Sequence, residues 1–167
     1  VFINSDQWDG YPRAREAIWR LIRGGQAAPN VAIDNVVVLT GDIHTSWAQD
    51  ITEDPNNPDA YNPDTGAGSM AVEFVGTSVT SPGSNGNPET TKAQNPAMKY
   101  VELASRGYML LDITRERVQS EWWFVDDIET RNNQQRLGAA YLVENGQNHV
   151  VAGEGASVER KTAPALA

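Results

Sequence analysis

The chain has 167 residues, 40% of them hydrophobic, with 13 Lys and Arg against 22 Asp and Glu, a net charge of −9, and no cysteine. That length buries one good core, so one domain is expected, and an acidic balance without a long basic run argues against a nucleic-acid partner. No disulfide framework exists, no apolar run approaches the roughly 18 residues that cross a bilayer, and no signal peptide is visible.

The chain opens at Val1, without Met, in what reads as a strand, Val1-Phe2-Ile3. Such a start is expected of a fragment, a processed chain, or one whose upstream part is carried separately. After Gly10, Pro12 suits a first helical turn and Gly24-Gly25 a stop. Between them Ala14, Ala17, Ile18, Leu21 and Ile22 recur at helical spacing, while Arg13, Arg15, Arg20 and Arg23 read as a solvated face rather than a phosphate clamp.

Val31 to Thr40 reads as a buried strand, the β-branched run Val36-Val37-Val38 favouring strand over helix. It ends abruptly in Gly41-Asp42-Ile43-His44-Thr45-Ser46-Trp47. In an extended turn Asp42 and His44 sit two apart and point the same way, so a carboxylate and an imidazole converge on one cation such as Fe, Mn, Zn or Ca. Gly41 lets the backbone turn sharply before them. The competing reading is a loop Asp capping a turn beside a packed His. Two ligands do not complete a site, so the others must come from elsewhere.

Residues 52 to 70 are rich in Pro, Asn, Asp and Gly and describe a long surface loop. Asp54, Asp59 and Asp64 lack the spacing and terminal Glu of a calcium loop. Ala71 to Val75 is a short strand, leading into the hydroxyls of Thr77-Ser78-Val79-Thr80-Ser81, which either line an anion pocket or hydrogen-bond a turn. Residues 84 to 94 read as loop. The segments 108–114 and 118–125 form a hairpin, with Trp122 and Trp123 on opposite faces so that at most one is core. A second hairpin joins Tyr141-Leu142-Val143 to His149-Val150-Val151, with His149 as a surface strand residue rather than a ligand. From Gly153 to Ala167 a flexible tail is expected.

Five blocks occur in one order: Asn4-Ser5-Asp6-Gln7-Trp8-Asp9-Gly10-Tyr11-Pro12; Leu39-Thr40-Gly41-Asp42-Ile43-His44-Thr45-Ser46-Trp47; Glu73-Phe74-Val75-Gly76-Thr77-Ser78-Val79-Thr80-Ser81-Pro82-Gly83; Asn95-Pro96; and Arg106-Gly107-Tyr108-Met109-Leu110-Leu111-Asp112-Ile113-Thr114 with Glu121-Trp122-Trp123 downstream. Together they resemble the alkaline phosphatase D (PhoD-like) family of metallophosphoesterases over roughly positions 1 to 150. The likeness is to the C-terminal half only. The family's earlier blocks, which carry the first Asp and His ligands and a Cys ligand, have no counterpart here.

The resemblance implies an α/β fold, half of a four-layer αββα metallophosphoesterase sandwich, with a mixed or antiparallel sheet and few helices. Residues 1–152 would be the C-terminal half of that domain and 153–167 its tail. It implies metal-dependent hydrolysis of phosphomonoesters or phosphodiesters, with Fe(III) and Ca(II) the expected ions and other divalent metals as substitutes. Asp42 and His44 are the implied metal ligands and catalytic groups, Asp9 (or Asp6 in its place) a further metal or substrate contact, and Thr45 a phosphate contact. Bound cations would reconcile a net negative chain with an anionic substrate. Family members often carry His after Asn-Pro where this chain has Ala97, so specificity here is expected to differ.

A companion chain carrying the N-terminal half, or an oligomer, is the implied partner. The family's bacterial export implies an extracytoplasmic location, periplasmic or secreted. Two alternatives remain: a non-catalytic accessory half-domain, and a small acidic β-rich binding module in which Gly-Asp-x-His is accidental.

Overall fold

The computed structural model describes residues 6–24 and 31–158. The expected strand at Val1–Ile3 and the tail from residue 159 onward lie outside the described residues. A short 3-10 turn, Trp8–Gly10, leads into helix α1, Pro12–Arg23, which starts on its proline as anticipated. Its buried residues are Trp19 and Ile22, while Ile18 and Leu21 stay exposed at 38% and 55%. The aliphatic stripe read from the sequence is therefore shifted by one position, because Trp19 packs on Trp8 with ring centroids 5.3 Å apart. Arg20 and Arg23 both reach Glu16, at 2.9 and 3.2 Å, and Arg23 also pairs with Glu53, as a solvated polar face would.

Among the described residues two four-stranded sheets follow. The first is mixed and contains β1 (Val37–Thr40), β2 (Ser46–Ile51), β3 (Ala71–Val75) and β4 (Met98–Glu102) in the spatial order β1-β3-β2-β4. β1 runs parallel to β3, and β2 runs antiparallel to both β3 and β4. The second is wholly antiparallel, with β5 (Gly107–Ile113), β6 (Arg117–Val125), β7 (Gln135–Glu144) and β8 (Val151–Ala152) in chain order.

Their facing sides make one core. Ala48, Val72 and Phe74 of the first sheet meet Trp122, Phe124 and Val143 of the second, all 5% exposed or less. Trp122 is the hub: it lies edge-on to Phe74 and against Tyr100 and Tyr141, and its Nε1 donates to the Val75 carbonyl at 2.8 Å. Burial drives the Tyr100 and Tyr141 phenols above their ordinary pKa, as expected for polar rings that bridge an apolar seam.

Several sequence expectations change. Only 37–40 of the proposed 31–40 strand pairs, and β2 and β4 arise where no strand was read, since neither alternates cleanly in hydrophobicity. Within the expected 84–94 loop a helix, α2, spans Pro88–Gln94, capped by Asn87, whose side chain accepts from the Glu89 and Thr90 amides. The first hairpin forms as anticipated, in the register Ile113↔Val118. Trp122 is core and Trp123 only partly buried, in agreement with their opposite faces.

His149 is not a surface strand residue. It precedes β8 and places Nδ1 2.7 Å from Asp50 Oδ2. Asp50 is fully buried and also accepts from Tyr61 Oη and the Val150 amide, each at 2.7 Å, with Lys99 Nζ at 3.6 Å. Burial first, then the Asp50 hydrogen bond, pushes the Tyr61 phenol strongly upward, so it stays a donor. One carboxylate thus ties the 52–70 loop and the turn after β7 to the end of β2. Of the tail expected to be flexible, residues 153–158 are held down: Gln119 Nε2 donates to the Gly155 carbonyl at 2.9 Å, and the Ser157 amide donates to Glu121.

Candidate metal centre

Where β1 ends the chain must reverse within five residues to start β2, and it does so by backbone strain. Ile43 N–H donates to the Gly41 carbonyl at 2.9 Å, closing a three-residue turn whose central residue, Asp42, has φ +71°. That is the positive-φ form of the γ-turn, the rarer and more strained of the two. His44 follows at φ +60°. Asp, Asn and His enter this region more readily than other side chains, and Ile43 between them keeps negative φ. The two implied ligands are therefore two of the three non-glycine residues held at positive φ among the described residues, Asn35 being the third.

The imidazole is oriented. His44 Nδ1 lies 3.2 Å from the Pro82 carbonyl oxygen. A carbonyl only accepts, so Nδ1 carries a hydrogen and Nε2 is the ring nitrogen left to serve as a ligand. This is the arrangement that second partners impose on metal-bound histidines. Thr77 Oγ1 contacts the backbone oxygens of His44 at 3.3 Å and Ser105 at 2.9 Å, tying the turn to the loop before β5. Ser78 Oγ donates to the Ser81 carbonyl at 2.6 Å. Of the two readings of the Thr77–Ser81 hydroxyls, hydrogen bonding within turns is the one these contacts fit.

Asp42 is exposed, His44 half-buried and Thr45 buried at 2%, its hydroxyl without a hydrogen-bond partner among the described residues. Asp9 belongs to the Trp8–Gly10 turn, but its side chain lies outside the described residues; Asp6 is exposed. An oxygen donor and an imidazole with a free Nε2 fit a hard or borderline cation, so the donor chemistry suits the implied ions. The donor number does not suffice: among the described residues no group of three or more His, Cys, Asp or Glu is placed to hold a metal ion. Pro82 and Thr77 were not singled out as supports of His44 from the sequence. The hydroxyl-rich run marked the right segment, but a carbonyl acceptor leaves no side-chain signature.

Comparison with known proteins bears on the family and the fold. A family model described as PhoD-like phosphatase matches residues 1–122. Alkaline phosphatase D from Bacillus subtilis (strain 168) is 32% identical over 121 residues, which is 70% of this chain and 18% of that protein. A solved structure described as "Structure of PhoD" superposes with a TM-score of 0.71 at 26% identity, over 92% of this chain and 28% of that one. The chain thus spans less than a third of the relatives it matches. Among the described residues no helix is long and apolar enough to cross a membrane.

Proposed function

The chain belongs to the PhoD-like phosphatase family, and from that premise we propose that it supplies the Asp42–His44 part of a phosphoesterase metal site acting on phosphomonoesters or phosphodiesters. The observation that carries this reading is the strained turn itself, which holds Asp42 and His44 at positive φ with Nδ1 engaged by the Pro82 carbonyl. Strain of this kind, of order 1–3 kcal/mol per residue, persists where the surrounding structure enforces a working geometry.

Asp42 contributes negative charge at the rim, where an exposed carboxylate meets a cation without first being desolvated. His44 contributes Nε2, its tautomer fixed by Pro82. Fe(III) and Ca(II) are the ions we assign, or other divalent metals in their place; when bound they supply positive charge for the phosphoryl oxygens and lower the pKa of a coordinated water. Asp9 is proposed as a further ligand or substrate contact and Thr45 as a support of the turn or a phosphate contact. We also assign the chain to the extracytoplasmic side of a bacterium, periplasmic or secreted.

Two donors require others, and that need supports a companion carrying the remaining ligands, on another chain or in an oligomer. β1 is the surface we assign to it. Among the described residues this strand is paired on one side only, by parallel β3, and it exposes Leu39 at 52%. An edge strand presents a row of N–H and C=O groups open to pairing, so this edge favours a further strand. The same two-donor count favours, as a second reading, an accessory half-domain without catalysis of its own.

Elemental analysis of the purified protein alongside Asp42→Asn, with p-nitrophenyl phosphate and bis(p-nitrophenyl) phosphate as substrates, tests these readings. Stoichiometric Fe or Ca and hydrolysis in the parent, both lost in the variant, are expected, because removing a charged ligand strips affinity and Lewis acidity together. Full activity in Asp42→Asn would overturn the assignment. Absence of metal and activity from both proteins would leave the accessory reading.

A further inference from the structure

Resting on the phosphoesterase reading above, we propose that Arg106 and Arg136 form an anion subsite beside the His44 turn, which takes a second negatively charged group, phosphate or carboxylate, borne on the alcohol side of the substrate. The two arginines line one cavity of about 320 Å³, together with Ser105, Asp126 and Asp127. They flank the end of β6. Arg106 immediately precedes β5, its carbonyl accepting from the Val125 amide at 2.9 Å, and Arg136 of β7 is paired with Phe124. With neighbouring strands about 4.8 Å apart, their backbones stand roughly 10 Å apart, a gap that two guanidinium groups close on one anion.

Both side chains are tethered, Arg106 half-buried and Arg136 exposed. Arg106 donates from Nε to the Ser81 carbonyl at 3.3 Å and from Nη1 to that of Ala104. Arg136 lies 5.4 Å from the ring centre of Phe124 and donates from Nη2 to Ser105 Oγ at 3.4 Å. Phe124 is itself 1% exposed and packed on Gly138, where any Cβ would stand 2.1 Å from the ring. Among the described residues neither arginine has an ion-pair partner, unlike Arg20, Arg23 and Arg117. Planar forks with unspent N–H groups, tethered and without an ion-pair partner, are placed to take a phosphate or carboxylate.

Two carboxylates, Asp126 and Asp127, share the cavity and offset part of this charge, but neither lies within ion-pair distance of a guanidinium group. Asp127 accepts from the Glu129 amide at 2.8 Å, and Glu102 from the amides of Ala104 and Ser105 at 3.1 and 2.7 Å, so both point to their own turns and leave the guanidinium N–H groups open to an anion. The link to the metal turn is direct: Arg106 and His44 bind consecutive carbonyls, Ser81 and Pro82. Arg106 Nε therefore lies no more than roughly 12 Å from His44 Nδ1, the reach of an ester whose alcohol carries a second anionic group a few bonds away.

The test has a binding arm and an activity arm, each on the wild type, Arg136→Gln and the Arg106→Gln/Arg136→Gln pair. In the first, inorganic phosphate is titrated into protein freed of metal by chelation and followed by phosphorus NMR. Saturable binding weakened about tenfold by Arg136→Gln and further by the pair is expected for loss of charge-assisted bonds. In the second, the ratio of kcat/KM for a carboxylate-bearing aryl phosphate to that for phenyl phosphate falls by about the same factor. Because Arg106 braces two loop carbonyls, Arg136→Gln alone decides if the double variant fails to fold. Phosphate binding equal in wild type and Arg136→Gln, or an unaltered ratio in an active enzyme, overturns the subsite. Arginine-dependent phosphate binding in a protein that hydrolyses neither ester upholds the anion site and overturns the phosphoesterase reading instead.

Discussion

At the scale of single residues the decisive fact is that a carboxylate and an imidazole occupy backbone conformations that ordinarily favour glycine. Asp42 at φ +71° spends conformational energy that a glycine would not. Asp42→Gly should therefore raise the urea midpoint, by about 1 kcal/mol of stability, while abolishing metal uptake. A loss of stability in that variant would mean that the aspartate side chain holds the turn, and would favour the capping reading of the motif. The Gly41-Asp42-Ile43-His44 pattern made these residues legible in the sequence. Their support was not legible, because Pro82 acts through its carbonyl and Thr77 through contacts with the backbone of His44 and Ser105, 33 and 28 residues away.

Among the elements, strongly patterned segments were readable and short mixed ones were not. Helix α1 and the β5–β6 hairpin announce themselves through Pro12, a 3.6 spacing and two β-rich runs about a tight turn. β2 escaped notice because it buries Ser46 and Asp50 beside Ala48, a pattern whose polar members look solvent-facing until their neighbours are known. Helix α2 did carry a signal, Asn87-Pro88-Glu89, masked by the loop-like composition around it. The joint between the sheets rests on β6. Trp122→Ala should cost about 3–5 kcal/mol, since it empties the centre of the core and leaves the Val75 carbonyl without its donor. Denaturant unfolding checks this; a change below about 1 kcal/mol would mean that the two sheets are joined by something other than this ring.

For the molecule as a whole, two buried carboxylates act as long-range ties. Asp50 gathers His149, Tyr61 and Val150, so Asp50→Ala should destabilise by about 3–5 kcal/mol by stranding those partners, as a thermal or urea melt will report. Glu121 fastens the segment around Ser157 to β6. Its burial raises the pKa, but hydrogen bonds from the Ser157 amide and hydroxyl, Trp123 Nε1 and Gln119 Nε2 outweigh that and hold it below the usual carboxylate range. A depressed folded-state pKa stabilises the fold above the unfolded value of about 4.3, and that stability is lost as pH falls through the lower folded value. Acid titration of stability should therefore be less steep in Glu121→Gln than in the parent; equal slopes would exclude this tie. The sequence by itself determined the family, the mixed α/β class and the place of the Asp42–His44 turn, because those reside in contiguous patterns of residue type and spacing; the turn itself is not the extended one expected but a tight one with both residues at positive φ. Only the tertiary structure decided that His149 is a half-buried partner of Asp50, that Arg106 and His44 bind consecutive carbonyls of one loop, and that Arg136 lines the same cavity as Arg106. Those relations join residues far apart in the chain, and they exist only once two sheets have packed and fixed which side chains meet.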